Sequence, residues 1–345
     1  MPPATDAHLP RRALLKQTLL GLTAIAGSAS ANQREYRIVD THLHVFNSAL
    51  QGANGIPRYM PDSTVEHHLQ LMDQGGVGKA FLISYNAEDI AFEIRSRGQS
   101  PAILLPVINR EYQIASWKAH QDRFWWFPGH VNPLHERLTD EIGKWFDMGA
   151  SGLKLLPLFH GLLPDHPSFR PVYELCRQRK KPIIMDVSWW YFGKYVGYGL
   201  NETRERQEMV KSFRSYADYA KLMDPIFKEF STVAFSLAHC GTAKAKEDYH
   251  HIFPLIARNP NVSCDLAAIL EYSPRFIEEL VKAVGARRVM YGTDAPYWYK
   301  GPDSFRTGSR RWTLIAEDCP FLSTEDKQLI LAGNAERFVK NELPQ

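Results

Sequence analysis

Short apolar runs alternate with longer amphipathic stretches along most of this chain, and no other feature constrains its fold as tightly. Runs of four to eight apolar residues read as buried strands, and stretches with apolar residues at helical spacing read as helices laid over them. The predicted strands are Arg37 to Asp40, Lys79 to Ser84, Phe124 to His130, Gly152 to Leu156, Pro182 to Val187, Val233 to Ala238, Val262 to Asp265 and Val289 to Gly292. Eight strands separated by helices predict an α/β fold, a (β/α)8 barrel in a single domain. Ala102 to Ile108 is an additional strand-like run, read either as part of an insertion or as the true third strand.

The barrel is assigned to residues 32–345, because residues 1–31 carry the marks of an export signal. Arg11-Arg12 precedes an apolar stretch through Leu19, Leu20, Leu22, Ala24, Ile25 and Ala26, and Ala29-Ser30-Ala31 offers a small-residue cleavage site. The paired arginine before a weakly apolar region reads as a twin-arginine signal, which predicts passage through the twin-arginine export machinery to a bacterial periplasm. An ordinary secretory signal, an uncleaved anchor and a basic amphipathic helix are the alternatives. With the signal cleaved, no stable membrane anchor is expected, and the absence of a cysteine after the apolar region argues against a lipoprotein.

With 44% hydrophobic and 23% charged residues, the chain has ample material for a buried core. Its net charge of +3 is spread along the sequence and leaves no nucleic-acid footprint. The densest basic clusters, Arg177 to Lys181 and Arg287-Arg288, read as solvated helix ends before strands. Cys176, Cys240, Cys264 and Cys319 lie far apart without CxxC spacing and do not suggest a zinc finger. Cys240 and Cys264 are the pair for a disulfide if they fall on adjacent strands.

The first predicted strand leads into Asp40-Thr41-His42-Leu43-His44. Histidines one residue apart on a strand point to the same face, and two imidazoles make half a site for a divalent metal. In a barrel, the C-terminal strand ends meet at one mouth. His42 and His44 end the first strand there, Lys154 lies in the fourth, Asp186 ends the fifth, His239 follows the sixth and Asp294 the eighth. All six are predicted to converge. His67, His68, His130, His135, His166, His250 and His251 lack ligand spacing and read as surface or satisfied core residues, while His160 follows the fourth strand without being taken as a ligand.

Five motifs in order give the chain a resemblance to the amidohydrolase superfamily, in the branch of TIM-barrel enzymes that contains aminocarboxymuconate-semialdehyde decarboxylase-like enzymes and lactonases. They are DTHLH at Asp40 to His44, GLKLLP at Gly152 to Pro157, AHCG at Ala238 to Gly241, YGTDAP at Tyr291 to Pro296 and GNAERF at Gly333 to Phe338. The resemblance implies one divalent ion, zinc first and manganese as the alternative, held by His42, His44 and Asp294, with His239 ligating it or hydrogen-bonding its water.

One position departs from the pattern: Asp186 stands where such enzymes commonly place a histidine ligand. The reading adopted is that Asp186 is a ligand; the alternatives are that it orients His239, that tight metal binding has been lost, or that it caps a loop amide. Lys154 reads either as a cation for a substrate carboxylate or carbonyl, or as the partner of a buried carboxylate.

The implied chemistry is hydrolysis of a C–O or C–N bond in a small lactone, ester or amide. Asp294 would take the proton of an activated water and pass it to the leaving group, and His239 or Lys154 would stabilise the oxyanion. The same site serves nonoxidative decarboxylases in related enzymes, and a catalytically silent ligand-binding barrel is the alternative of another class. Trp189, Trp190, Tyr191 and Phe192 after the fifth strand, with Tyr297, Trp298 and Tyr299 after the eighth, suit a ring, although clustered aromatics also form cores and interfaces. Arg306, Arg310 and Arg311 suit a substrate carboxylate or the surface. Trp189, Trp298, Arg306 and Lys154 are thus the predicted substrate contacts. Exposed aromatics leave room for a homodimer.

Overall fold

Eight strands form where the apolar runs stand: β1 Val39–Leu43, β2 Lys79–Ser84, β3 Phe124–Pro128, β4 Leu153–Leu155, β5 Ile183–Met185, β6 Phe235–Leu237, β7 Val262–Asp265 and β8 Val289–Met290. The computed structural model describes residues 36–59, 61–90, 94–95, 98–129, 133–157, 160, 162–187, 216–241, 246–269, 272–296 and 312–344. The predicted signal lies outside them. Contacts separate Met1–Arg37 from a unit over Ile38–Gln345, which holds every strand. Among the described residues no helix is long and apolar enough to cross a membrane.

All strand pairs are parallel, but the ladder divides into sheets of order β1-β2-β3 and β4-β5-β6-β7-β8. The continuous eight-stranded closure predicted from the sequence is therefore not present as a ladder. Its seams fall beside the short strands β4 and β8, which offer few residues for pairing. Single backbone bonds span them instead. The Ser151 amide donates to the Trp126 carbonyl (2.7 Å) at one seam; at the other, the amides of Thr41, His44 and Asp294 donate to the carbonyls of Tyr291 (3.0 Å), Ala295 (2.8 Å) and His42 (2.8 Å). At the first seam Gly152 is required by space, since a Cβ there would lie 2.3 Å from Cε1 of Phe127 and 2.7 Å from the carbonyl oxygen of Pro182.

The run Ala102 to Ile108 is not a strand. Pro101 begins the helix Pro101–Leu104, where its missing amide costs nothing, and a turn follows. Leu104, Val107 and Ile108 then pack with Phe46, Tyr85, Ile90, Ile94 and Leu156 in an apolar cluster. The third strand is β3, paired with β2 along its full length.

A second cluster joins both sheets through Val39, Phe81, Ile83, Phe127, Ile184 and Met290. Phe338, from the C-terminal helix Asn334–Phe338, stacks 6.2 Å from Phe81 and 6.3 Å from Phe127, two rings themselves 4.6 Å apart. Asn334 Nδ2 donates to the carbonyls of Ala286 (2.7 Å) and Val289 (2.6 Å). The GNAERF motif thus anchors the core instead of entering the site. Arg177 and Arg179 close the helix Arg170–Arg179 before β5, as predicted, whereas in the turn before β8 Arg287 is exposed and Arg288 is half-buried, its Nη1 donating to the carbonyls of Ile256, Ala257 and Asn259. Cys240 and Cys264 do meet, at the end of β6 and in β7, as free buried thiols with sulfurs 3.7 Å apart.

Candidate active site

Strand β1 carries Asp40, His42 and, one residue beyond it, His44 at alternate positions, and all three are buried. Asp40 Oδ1 accepts from the amides of His42 and Thr293, both at 3.0 Å, while Oδ2 accepts from the Thr293 hydroxyl at 2.5 Å. Burial lifts the Asp40 pKa to about 7, with these hydrogen bonds pulling the other way. Asp40 therefore clamps β1 to the turn that presents Asp294.

The two β1 imidazoles meet the same carboxylate oxygen. Nε2 of His42 is 3.5 Å and Nε2 of His44 3.2 Å from Asp294 Oδ1. His44 Nδ1 lies 3.1 Å from the Ile83 carbonyl, which can only accept, so Nδ1 carries the hydrogen and a neutral His44 presents the Nε2 lone pair to Asp294. Burial holds the His44 pKa below the usual histidine range, against the pull of Asp294. His42 Nδ1 similarly faces Asp265 Oδ2 at 3.4 Å. Imidazole and carboxylate donors converging in this way, each histidine fixed through its other ring nitrogen, suit a divalent cation. Among the described residues, two groups have donor atoms within 4.8 Å of one another, His42 with His44 and Asp294, and His42 with His239 and Asp265.

The opposite side of the cluster carries positive charge. Lys154 Nζ, buried, stands 2.6 Å from His42 Nε2 and 3.5 Å from Asp186 Oδ2. The same Asp186 oxygen is 3.3 Å from His239 Nε2, and His239 Nδ1 donates to the Ala267 carbonyl at 3.1 Å. Burial works against a charged His239, but Asp186, with help from Asp294, lifts its pKa to about 9. The ring stacks 4.5 Å from that of His42.

His239, Cys240 and Asp294 all take the left-handed backbone conformation, with φ of 57°, 50° and 61°. Such geometry costs of order 1 kcal/mol or more per non-glycine residue and needs support from its surroundings. Asp265 supplies part of that support, since its Oδ1 accepts from the amides of His239 (2.8 Å) and Ala267 (3.1 Å). Burial raises the Asp265 pKa to about 6, opposed by His239 and these hydrogen bonds.

The structure thus brings together all six residues predicted to converge, His42, His44, Lys154, Asp186, His239 and Asp294. Asp186 bonds to Lys154 and His239 and belongs to neither converging donor group among the described residues. Asp265 was missed, although it too is polar and ends a strand. His68, expected to be a surface or satisfied core residue, is a buried core histidine beside the backbone of His44. Phe46 and Tyr85 wall the His44 ring at centroid distances of 6.2 and 5.3 Å. Trp189, Trp298 and Arg306 lie outside the described residues, as do the aromatic runs and arginines around them.

No curated protein matches this chain. Among solved structures it resembles a probable 2-pyrone-4,6-dicarboxylic acid hydrolase from Acinetobacter baumannii, at 14% identity and TM-score 0.57 over 88% of this chain and 99% of that one. It also resembles 4-oxalomesaconate hydratase from Rhodopseudomonas palustris, at 18% identity and TM-score 0.60 over 88% and 96% of the two chains. A third likeness is to 5-carboxyvanillate decarboxylase from Sphingomonas paucimobilis, at 15% identity and TM-score 0.56 over 88% and 99%. At such identities the likeness is one of fold. The family model described as Amidohydrolase matches residues 39–340, from the first strand through the C-terminal helix, and by that match the chain belongs to the amidohydrolase family.

Proposed function

We propose that this protein is a metal-dependent hydrolase that cleaves a C–O or C–N bond in a small lactone, ester or amide carrying a ring or a carboxylate. The observation that carries this reading is the meeting of His42 and His44 Nε2 at one oxygen of Asp294, with the other ring nitrogens tied to Asp265 and Ile83. His42, His44 and Asp294 would hold the ion, zinc or else manganese. When bound, it supplies Lewis acidity, which polarises a substrate carbonyl and acidifies water. Asp294 takes the proton of the attacking water and delivers it to the leaving group. His239, which Asp186 keeps protonated, stabilises by its positive charge the oxyanion that develops at the carbonyl carbon under attack. The wall of Phe46 and Tyr85 favours a compact planar substrate, and the hydrolase, hydratase and decarboxylase of like fold are all named for carboxylated compounds. Trp189 and Trp298 are assigned to the substrate ring and Arg306 to its carboxylate, from their places after β5 and β8. Arg11-Arg12 and the apolar stretch after it support export to the periplasm.

The test is elemental analysis of protein purified without added metal, joined to turnover of lactone, ester, amide and aromatic acid panels in oxygen-18 water. The expected result is about one zinc or manganese per chain, activity lost to a chelator and restored by metal, and heavy oxygen in the product. Asp294→Asn should lower kcat/KM by about a thousandfold, in the range of a lost proton-transfer group. Carbon dioxide release without heavy-oxygen incorporation would reassign the site to nonoxidative decarboxylation. A protein that neither binds metal nor turns over any panel member would be a ligand-binding barrel.

A further inference from the structure

His42 Nε2 has two claimants. It is one of the nitrogens that converge on Asp294, and it also lies 2.6 Å from the ammonium of Lys154. Its ring cannot offer the other nitrogen instead, because Nδ1 faces Asp265 and the imidazole is fully buried between that carboxylate and the His239 ring. A single lone pair serves either a proton donor or a metal ion. The stem of Lys154 runs past Gly129, where a Cβ would lie 3.2 Å from the lysine Cβ. The second acceptor is Asp186, 3.5 Å away, at the strand position where the resemblance expects a histidine.

We propose that Lys154 competes with a divalent ion for Nε2 of His42, and that Asp186 receives the ammonium when the ion binds. The lysine is then the cation that serves the site until a metal ion binds. It satisfies the His42 lone pair and balances the carboxylates of Asp186, Asp265 and Asp294, which surround the same small volume. Replacing a histidine by Asp186 removes a neutral ligand and adds a negative charge, which gives the displaced ammonium a place to go. Metal binding therefore carries the cost of moving a buried charge, and the protein holds its ion less tightly than the donor set alone would allow. The inference rests on the metal-dependent reading above.

The experiment is zinc titration of the full chain, stripped by chelator, by competition with a chromophoric chelator, for the wild type and for Lys154→Met and Lys154→Gln. Thermal melts without metal establish that each variant is folded. Binding at least tenfold tighter in Lys154→Met, with Lys154→Gln between it and the wild type, is expected. Equal or weaker binding in both variants would overturn the competition while leaving the metal site standing. Crystal structures of the wild type with and without zinc read the same competition without a variant. Lys154 Nζ should leave His42 for Asp186 when zinc is bound, and an unchanged contact to His42 beside a bound ion would overturn the proposal. If zinc binds to neither the wild type nor the variants, the metal-dependent reading itself fails, and this inference falls with it.

Discussion

Asp265 shows how one side chain can govern a site without entering the reaction. One of its oxygens faces the His42 ring and the other receives the amide of His239, so a single carboxylate sets the angle of one imidazole and the strained backbone of another. Asp265→Asn should weaken zinc binding by roughly 10- to 100-fold, the usual penalty for losing a group that orients a ligand, and zinc titration of the folded variant checks this. The rule that polar residues at strand ends face the mouth had already selected six neighbours of Asp265; applied to β7 it would have added this one. The left-handed turns at His239 and Asp294 were beyond sequence reasoning, because neither residue type announces that conformation. His68 yields a prediction about acid stability. Burial pushes its pKa down to about 3, below the ordinary histidine value of 6.5, so the folded state holds it neutral. The stability it supports is complete above the unfolded value and falls as pH drops from there towards 3. Between pH 8 and pH 5 the wild type should lose about 2 kcal/mol more than His68→Gln, measured by urea unfolding of both proteins at each pH.

Strands were the most legible elements, since a buried parallel strand is a bare apolar run with polar residues at its end. β2 and β7 stand at their predicted bounds, and the others lie within a few residues of theirs. Ala102 to Ile108 misled because a short apolar helix and a short strand have the same composition; Pro101 and Pro106, which favour a helix start and a turn, were the discriminating signal. The division into two sheets was illegible for another reason. It depends on how many residues β4 and β8 devote to pairing, and an apolar run does not report its own pairing length. The C-terminal helix is an element whose motif carries the family resemblance and whose role is structural. Phe338 is 3% exposed and stacks on rings from β2 and β3. Phe338→Ala should cost about 3–5 kcal/mol of unfolding free energy with little change in zinc affinity, as read from denaturant curves and metal titration on the same preparation.

For the molecule as a whole, the order of strands along the chain carried most of what could be inferred, because a mouth built from successive strand ends turns linear spacing into neighbourhood. Charges were harder to apportion. Whether Asp186 serves a metal, a histidine or a lysine depends on distances of a few tenths of an ångström, and sequence spacing has no such resolution. The seam between β1 and β8 unites the two levels. His42 and His44 stand on one side of it and Asp294 on the other, and a few backbone bonds together with the Asp40–Thr293 clamp join the sides. An ion held by all three would act as a rivet through this join of the wall, so loading the site and fastening its scaffold become a single event. At a free metal concentration a hundredfold above the dissociation constant, that event adds about 2.7 kcal/mol to the folded state. The supply of the ion would then set how long the protein survives as well as how fast it works.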